Sequence, residues 1–331
     1  MFSRTKRKRP PQAATLQTAG LSSQPPFPPK RKGLVKQILS YWEIYLMLIP
    51  AAVYFIIFHY LPIYGIQIAF RDFSPVKGIW DSNWAGFKYF ERFFQSPYFV
   101  TLLKNTLSVS LYQLIAGFFP PIILALLLNH QRSERFKKTV QTASYAPHFI
   151  STVVLVGMMK VMLSPSMGIV NFAIEALGGE AIHFFARPEM FRHLYVWSGI
   201  WQDLGWSAIL YVGALSGISP ELYEAATIDG ASVWKKIRHI DIPGIMPTIV
   251  ILLILNSGSI LGVGYEKAYL MQNTQNASTS EVISTYVYKQ GLVSAQYSYS
   301  AAVGLFNSVV NFVFLLIVNT ISSRISKTSL F

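Results

Sequence analysis

Ser219-Pro220-Glu221-Leu222-Tyr223-Glu224-Ala225-Ala226-Thr227-Ile228-Asp229-Gly230, followed after nine residues by Ile240-Asp241-Ile242-Pro243, is a polar interlude between two long apolar stretches. Ser219 can cap a helix, Pro220 suits its first position, and Glu221 meets the positive end of the helix dipole. The helix is expected to run about two turns and to stop at Asp229-Gly230, where glycine permits a sharp change of direction. A second amphipathic helix, 232–240, then leads to Pro243 and back into apolar sequence. Leu222, Ala225 and Ala226 lie close to one face of the first helix, and the alanines let another surface approach. Two alanines make a poor core alone. This face reads as an insert for a groove on a partner.

The rest of the chain is composed for a membrane. Charged residues make up 13% of the 331 positions, against about a quarter in soluble chains. The absence of cysteine excludes disulfides, Cys-ligated zinc, iron–sulfur clusters and cysteine nucleophiles. A bilayer core needs about 20 mainly apolar residues in a helix. Six stretches supply them: 44–70, 105–128, 140–163, 194–217, 245–270 and 301–321. Prolines interrupt several (Pro50, Pro62, Pro120, Pro121, Pro147, Pro247), which a helix bundle can accommodate. The expected fold class is an all-α integral membrane protein with six transmembrane helices in residues 41–325 and a cytoplasmic loop at 218–244.

The net charge of +13 is largely a property of the first 40 residues, where nine of the 28 Lys+Arg precede Tyr41. That segment carries Arg4, Lys6-Arg7-Lys8-Arg9 and Lys30-Arg31-Lys32 but little to bury, and reads as a disordered basic cytoplasmic tail. No aromatics interleave the charges and no binding motif follows, so nucleic acid is not an expected partner. The apolar run after it is too long for a signal peptide and lacks a small-residue cleavage site. With the tail inside, 18 of the 28 Lys+Arg fall on the cytoplasmic face, which puts both termini there. Three longer outer connections hold the others, with aromatics such as Trp80, Trp84, Phe87, Phe93, Tyr98 and Phe191. These suit an interfacial belt, a docking surface for an outside partner, or both.

Signs of an enzyme are missing. There is no Gly-Lys-Ser/Thr, no His-Glu-x-x-His, no Gly-x-Ser-x-Gly and no Gly-x-Gly-x-x-Gly. The six histidines have no ligand spacing, and His148 reads as a hydrogen-bonded packing residue. No catalytic residue, metal site or cofactor is expected in this chain. Asp203 stands out because an ionisable group within a span is a functional candidate. With Trp201, Gln202 and Trp206 it could form a sugar site, since aromatic faces stack on sugar rings and polar groups bond hydroxyls. A carboxylate at the outer interface, or paired with a Lys or Arg, is the plainer alternative. Tyr211, Asn256 and Asn307 are further candidates for a substrate path, although polar groups in spans also hold helices together.

The loop quoted first resembles the EAA loop of binding-protein-dependent ABC importer permeases: Glu-Ala-Ala, three residues, Gly, nine residues, Ile-x-Leu-Pro. Here Glu224-Ala225-Ala226, Gly230, Ile240 and Pro243 match, and Ile242 stands for Leu. The resemblance extends over residues 40–325. Within the family the chain is similar to carbohydrate-uptake permeases of the polysaccharide or aldouronate type, on Tyr223, Ile228-Asp229-Gly230-Ala231, Trp206 and Tyr211. The resemblance implies a type I permease fold in the bacterial cytoplasmic membrane, surrounded by lipid, and import of oligosaccharides, with uronic-acid oligosaccharides among the candidates. It also implies a second homologous permease, a dimeric cytoplasmic ATPase that binds the ATP and Mg, and an extracytoplasmic solute-binding protein. Tyr223, Glu224, Ala225, Ala226, Asp229, Gly230, Ile240 and Pro243 would then couple to the ATPase. The motif leaves open import of peptides, amino acids or phosphate, and a membrane scaffold or receptor remains the alternative from another class.

Overall fold

The computed structural model describes residues 41–326; the basic tail expected at residues 1–40 lies outside them. Among the described residues the structure is helical, with two isolated β-bridges and no strand. The contacts divide the chain into two units at Tyr60–Leu61. In the first, α1 (Trp42–Phe55) continues into a π turn, Ile56–Tyr60, and buries none of its residues. The second contains α2 (Phe99–Asn129), α3 (Glu134–Tyr145), α4 (Thr152–Met162), α5 (Pro188–Ser216), α6 (Pro220–Ile228), α7 (Ile242–Ser257) and α8 (Tyr297–Ser326), with shorter helices between them.

Four helical runs are long and apolar enough to cross a membrane: Trp42–Phe70, Phe99–Asn129, Val233–Ser257 and Tyr297–Arg324. The pair Glu134–Phe149 and Thr152–Met162 makes a fifth if it is counted as one span. These runs are apolar around most of their circumference, as helices solvated by lipid are. α5 has 29 residues but is more polar, carrying Glu189, Arg192, His193 and Asp203.

Two expected spans take a different form. The stretch 140–163 is bent by 101°. Ser151 starts a new helix there, accepting the Val154 N–H at 3.4 Å, while Ile150 is extended. The stretch expected at 245–270 is displaced. Its helix begins at Val233, inside the segment assigned to the loop, and ends at Ser257. It enters through a π turn, Ile237–Asp241, two residues before Pro243. Pro62 is preceded by a π turn at the same spacing. Proline removes one backbone donor from the helical ladder, and an extra residue in the preceding turn absorbs the mismatch. Beyond Ser257 the chain is irregular up to a separate helix, Tyr265–Met271. Side chains close the freed donors there: Asn311 accepts the Leu261 N–H at 2.8 Å, and the Tyr195 hydroxyl accepts the Gly264 N–H at 3.1 Å.

The last long connection is also packed. Ala268, Met271, Val282 and Ile283 are buried, and Asn276 bonds the carbonyls of Phe185 and Met271, each at 3.0 Å. The expected aromatic group divides accordingly. Trp80, Trp84, Phe87 and Tyr98 are exposed, whereas Phe93 and Phe191 are core residues.

The main interior seam runs between α2 and α5. Val109, Tyr195 and Val196 belong to one apolar cluster at this seam, and Ile122, Ala125, Ala208 and Leu215 belong to another. α5 also meets α3 at Gly205, where an added Cβ would overlap the Ser144 carbonyl. Backbone cannot retreat as a flexible side chain can, so the contact requires glycine. Gly205→Val is expected to cost about 3 kcal/mol by overpacking and to lower the thermal unfolding midpoint in detergent by roughly 5–10 °C. Gly213→Val on the same helix, where a Cβ meets nothing within 4 Å, should leave the midpoint near wild type.

Candidate functional site

The 219–243 segment folds as a capped helix, a turn and the start of the next helical run. Ser219 caps α6 by accepting the Glu221 N–H at 3.3 Å, with Pro220 at the first position. At the other end Gly230 has φ +69°. The Ala231 N–H reaches back to the Ala226 carbonyl at 2.8 Å, and the Gly230 N–H to that of Thr227 at 3.1 Å. This pair of bonds is the Schellman closure, which satisfies carbonyls that the helix end leaves open. Lys236 bonds the Thr227 hydroxyl at 2.8 Å, tying the helix to the run that follows.

The motif residues divide between surface and interior. Glu224, Ala225, Asp229 and Pro243 are exposed, while Ala226 and Ile240 are partly buried. Around them stand apolar side chains in solvent: Leu222, Ile228 at 87% exposure and Trp234 at 79%. Tyr223 turns the other way. Its hydroxyl donates to Asp241 Oδ1 at 2.6 Å and accepts from Asn129 Nδ2 at 3.3 Å. Burial and the Asp241 carboxylate push the Tyr223 phenol up to about 12, so it keeps its proton at neutral pH. His130 Nε2 lies 2.5 Å from Asp241 Oδ2, and the Asp241 side chain is wholly inaccessible. Asp241 was not singled out in the sequence. It occupies the variable place in Ile-x-Leu-Pro, and only the tertiary structure brings Asn129, His130 and Tyr223 to it.

A second feature is a cavity of about 330 Å³ between α2, α5 and the end of α7. Asp203, Trp206 and Asn256 line it, together with Gln113, Ser110 and Ser259. Asp203 Oδ1 is 2.9 Å from His148 Nδ1, and the His148 ring stacks on Trp206 at 4.3 Å. Carboxylate, imidazole and indole therefore form one unit: a charged edge for hydroxyls and a flat apolar face. His148 is hydrogen-bonded, and its acceptor is the ionisable residue that the span made conspicuous. No cluster of three or more metal-ligating side chains occurs among the described residues.

The other candidates lie elsewhere. Gln202 donates to the Ile150 carbonyl at 2.7 Å and holds the corner between α3 and α4. Trp201 is exposed on α5. Tyr211 is 4% exposed in the apolar cluster of Ile122, Leu126 and Ile245, and Asn307 does not line the cavity. Lys267 was not anticipated as a site residue. It lies over the Tyr195 ring at 4.8 Å and donates to the Tyr195 carbonyl at 2.9 Å, behind the cavity-lining Gly199.

Residues 29–327 match the family described as "Binding-protein-dependent transport system inner membrane component". The chain is 44% identical over 288 residues to Protein LplB of Bacillus subtilis (strain 168), covering 87% of this chain and 91% of that one. It is 43% identical over 303 residues to the polygalacturonan/rhamnogalacturonan transport system permease protein YteP of the same organism, covering 91% and 94%. Among solved structures it matches a chain of a bacterial ABC transporter involved in the import of the acidic polysaccharide alginate. The TM-score is 0.81 at 42% identity, over 89% of this chain and 100% of that one. A chain of the bacterial alginate ABC transporter in complex with an alginate pentasaccharide-bound periplasmic protein matches with TM-score 0.82 at 41% identity, over 90% and 100%.

The turn at Gly230 can be tested by itself. A Cβ there meets nothing within 4 Å, so the cost of a side chain is conformational. Gly230→Ala should destabilise the closure by about 1 kcal/mol. Hydrogen exchange at the Ala231 amide should then be roughly fivefold faster, 1 kcal/mol being that factor at 25 °C. An unchanged exchange rate would show that the closure does not depend on glycine.

Proposed function

Because the chain belongs to the family of binding-protein-dependent transport system inner membrane components, we propose that it is the permease subunit of an ATP-driven importer of acidic oligosaccharides. The observation that carries the substrate class is near-full-length likeness, above 40% identity, to relatives named for polygalacturonan/rhamnogalacturonan and for alginate. The cavity is compatible with it. The Trp206–His148 stack offers a face for a sugar ring, and Asp203, Gln113 and Asn256 offer partners for hydroxyls. Asp203 would oppose a uronate carboxylate, so the sugar hydroxyls are the groups it would meet.

In this proposal the chain crosses the cytoplasmic membrane six times with both termini inside, α5 and the bent α3–α4 pair completing the set. A second homologous permease encloses the path with it. An external solute-binding protein delivers the sugar, and a dimeric ATPase, holding ATP and Mg, docks on α6. Leu222, Glu224, Ala225, Ile228 and Trp234 form the docking surface, which the exposure of large apolar groups beside a two-alanine face supports. Gly230 fixes the angle of that helix.

With the complete transporter in proteoliposomes, oligogalacturonides or alginate oligosaccharides presented by the binding protein should stimulate ATP hydrolysis, and maltooligosaccharides or peptides should not. Stimulation by the second set alone would replace the substrate class. Asp203→Asn should lower uptake about tenfold, the loss of one charged hydrogen bond, while assembly and basal hydrolysis stay near wild type. Unchanged uptake would return Asp203 to a packing role. For the docking helix, Ala225→Trp should insert normally yet release most of the ATPase from membranes at matched permease levels.

A further inference from the structure

Asn129, Tyr223, Asp241 and His130 form a closed chain of hydrogen bonds. Asn129 Nδ2 donates to the Tyr223 hydroxyl, which donates to one oxygen of Asp241, and His130 Nε2 meets the other. Asn129 and His130 are adjacent in sequence, at the C-terminal end of α2. The circuit therefore joins three elements: the end of α2, the helix α6, and the π turn that opens the Val233–Ser257 run. Its centre is a carboxylate with 0% exposure. A buried carboxyl group without partners is strongly disfavoured, and here each oxygen has one: the Tyr223 hydroxyl on Oδ1 and His130 Nε2 on Oδ2. Removing either partner leaves one oxygen of a buried carboxyl group without its hydrogen bond.

Local geometry explains why this aspartate is available. The π turn Ile237–Asp241 inserts one residue relative to an α-helix. Without it, Asp241 would point about 100° away around the axis. The turn that precedes Pro243 thus also sets the direction of the carboxyl group. On the far side of α6, Glu224 and Ala225 face solvent. One short helix presents its exposed face outward and bolts its inner face to two long apolar helices.

We propose that Tyr223, Asp241, His130 and Asn129 are a latch that makes α6, the end of α2 and the start of the Val233–Ser257 run move as one body, so that displacement of α6 by the ATPase reaches the membrane helices. These are positioning residues: they contact neither nucleotide nor sugar. The inference rests on α6 being the docking helix. It goes beyond that reading by separating two properties, holding the ATPase and transmitting its motion.

The test uses the whole transporter in proteoliposomes, with a mixture of alginate and galacturonate oligosaccharides as probe. Three quantities are read: ATPase retained, ATP hydrolysed and sugar taken up. Tyr223→Phe and Asp241→Ala should retain the ATPase yet take up about fivefold less sugar per ATP hydrolysed. Because the chain contains no cysteine, the double variant Tyr223→Cys/Asp241→Cys introduces the only thiols in this subunit. It should be uncoupled when reduced, and a short bifunctional thiol reagent across the pair should restore uptake per ATP. Wild-type uptake per ATP in all three variants would overturn the latch. So would uptake that falls only in step with ATPase retention, or a bridged pair that stays uncoupled. Ala225→Trp in the same preparations separates the two readings. If it releases the ATPase while the latch variants remain coupled, docking on α6 stands and the latch falls. If Ala225→Trp keeps both ATPase and uptake, docking on α6 is wrong and the latch falls with it.

Discussion

Hydrocarbon offers a backbone no hydrogen-bond partners, and this constraint bears on the breaks in the apolar helices among the described residues. At several breaks among the described residues, donors released from a helix are closed by side chains, some of them from distant helices. The prolines at 62 and 243 are each preceded by a π turn. The irregular stretch after Ser257 is capped by Asn311 and by the Tyr195 hydroxyl. Asn171 closes the connection that follows α4, donating to the Ser164 and Ile182 carbonyls and accepting the Ile182 N–H. Buried amides here replace the water that would satisfy loops in a soluble protein. Some of the candidate residues sit at such breaks. His148 precedes the α3–α4 corner, Asp241 ends a π turn, and Ser259 in the stretch after α7 lines the cavity.

Signals that depend on neighbours in sequence were readable in advance. Ser219-Pro220-Glu221 starts a helix and Asp229-Gly230 ends it, because caps and left-handed turns are decided by a handful of adjacent residues. The Trp42–Phe70, Phe99–Asn129 and Tyr297–Arg324 runs were visible as apolar stretches of sufficient length. The fifth stretch was misplaced because Lys235, Lys236 and Arg238 depress hydropathy at its start, although charge on a helix end does not stop it. Past Ser257 apolar residues continue, but Gly258, Gly262 and Gly264 favour an irregular path and packing on Tyr195 stabilises it. Hydropathy counts apolar residues without knowing what they pack against.

The candidate site shows the same division. Asp203 and Asn256 were conspicuous as polar groups in apolar sequence, and both line the cavity. Tyr211 has the same chemistry on paper yet serves the core, because its position on α5 faces the seam with α2. His148 and Asp203 are 55 residues apart, and His130 and Asp241 are 111 apart. No local pattern announces such pairs. They appear only when α2, α3, α5 and α7 are brought together.

The contact between Gly205 and Ser144 has a mechanical corollary. Where a helix meets the backbone of another this closely, little side chain is left to compress or to change rotamer, here only the Tyr145 ring beside the carbonyl. Such a contact behaves as a hinge pin rather than a spring: the helices can swivel about it, while parting them would open an unfilled void. Ser144 lies one helical turn from His148, and Gly205 lies beside Trp206 and two residues from Asp203. The carboxylate, the imidazole and the indole therefore sit close to the axis of any such swivel, where displacement is smallest. A wall mounted at the pivot can keep its chemistry intact while the ends of the same helices sweep through larger arcs.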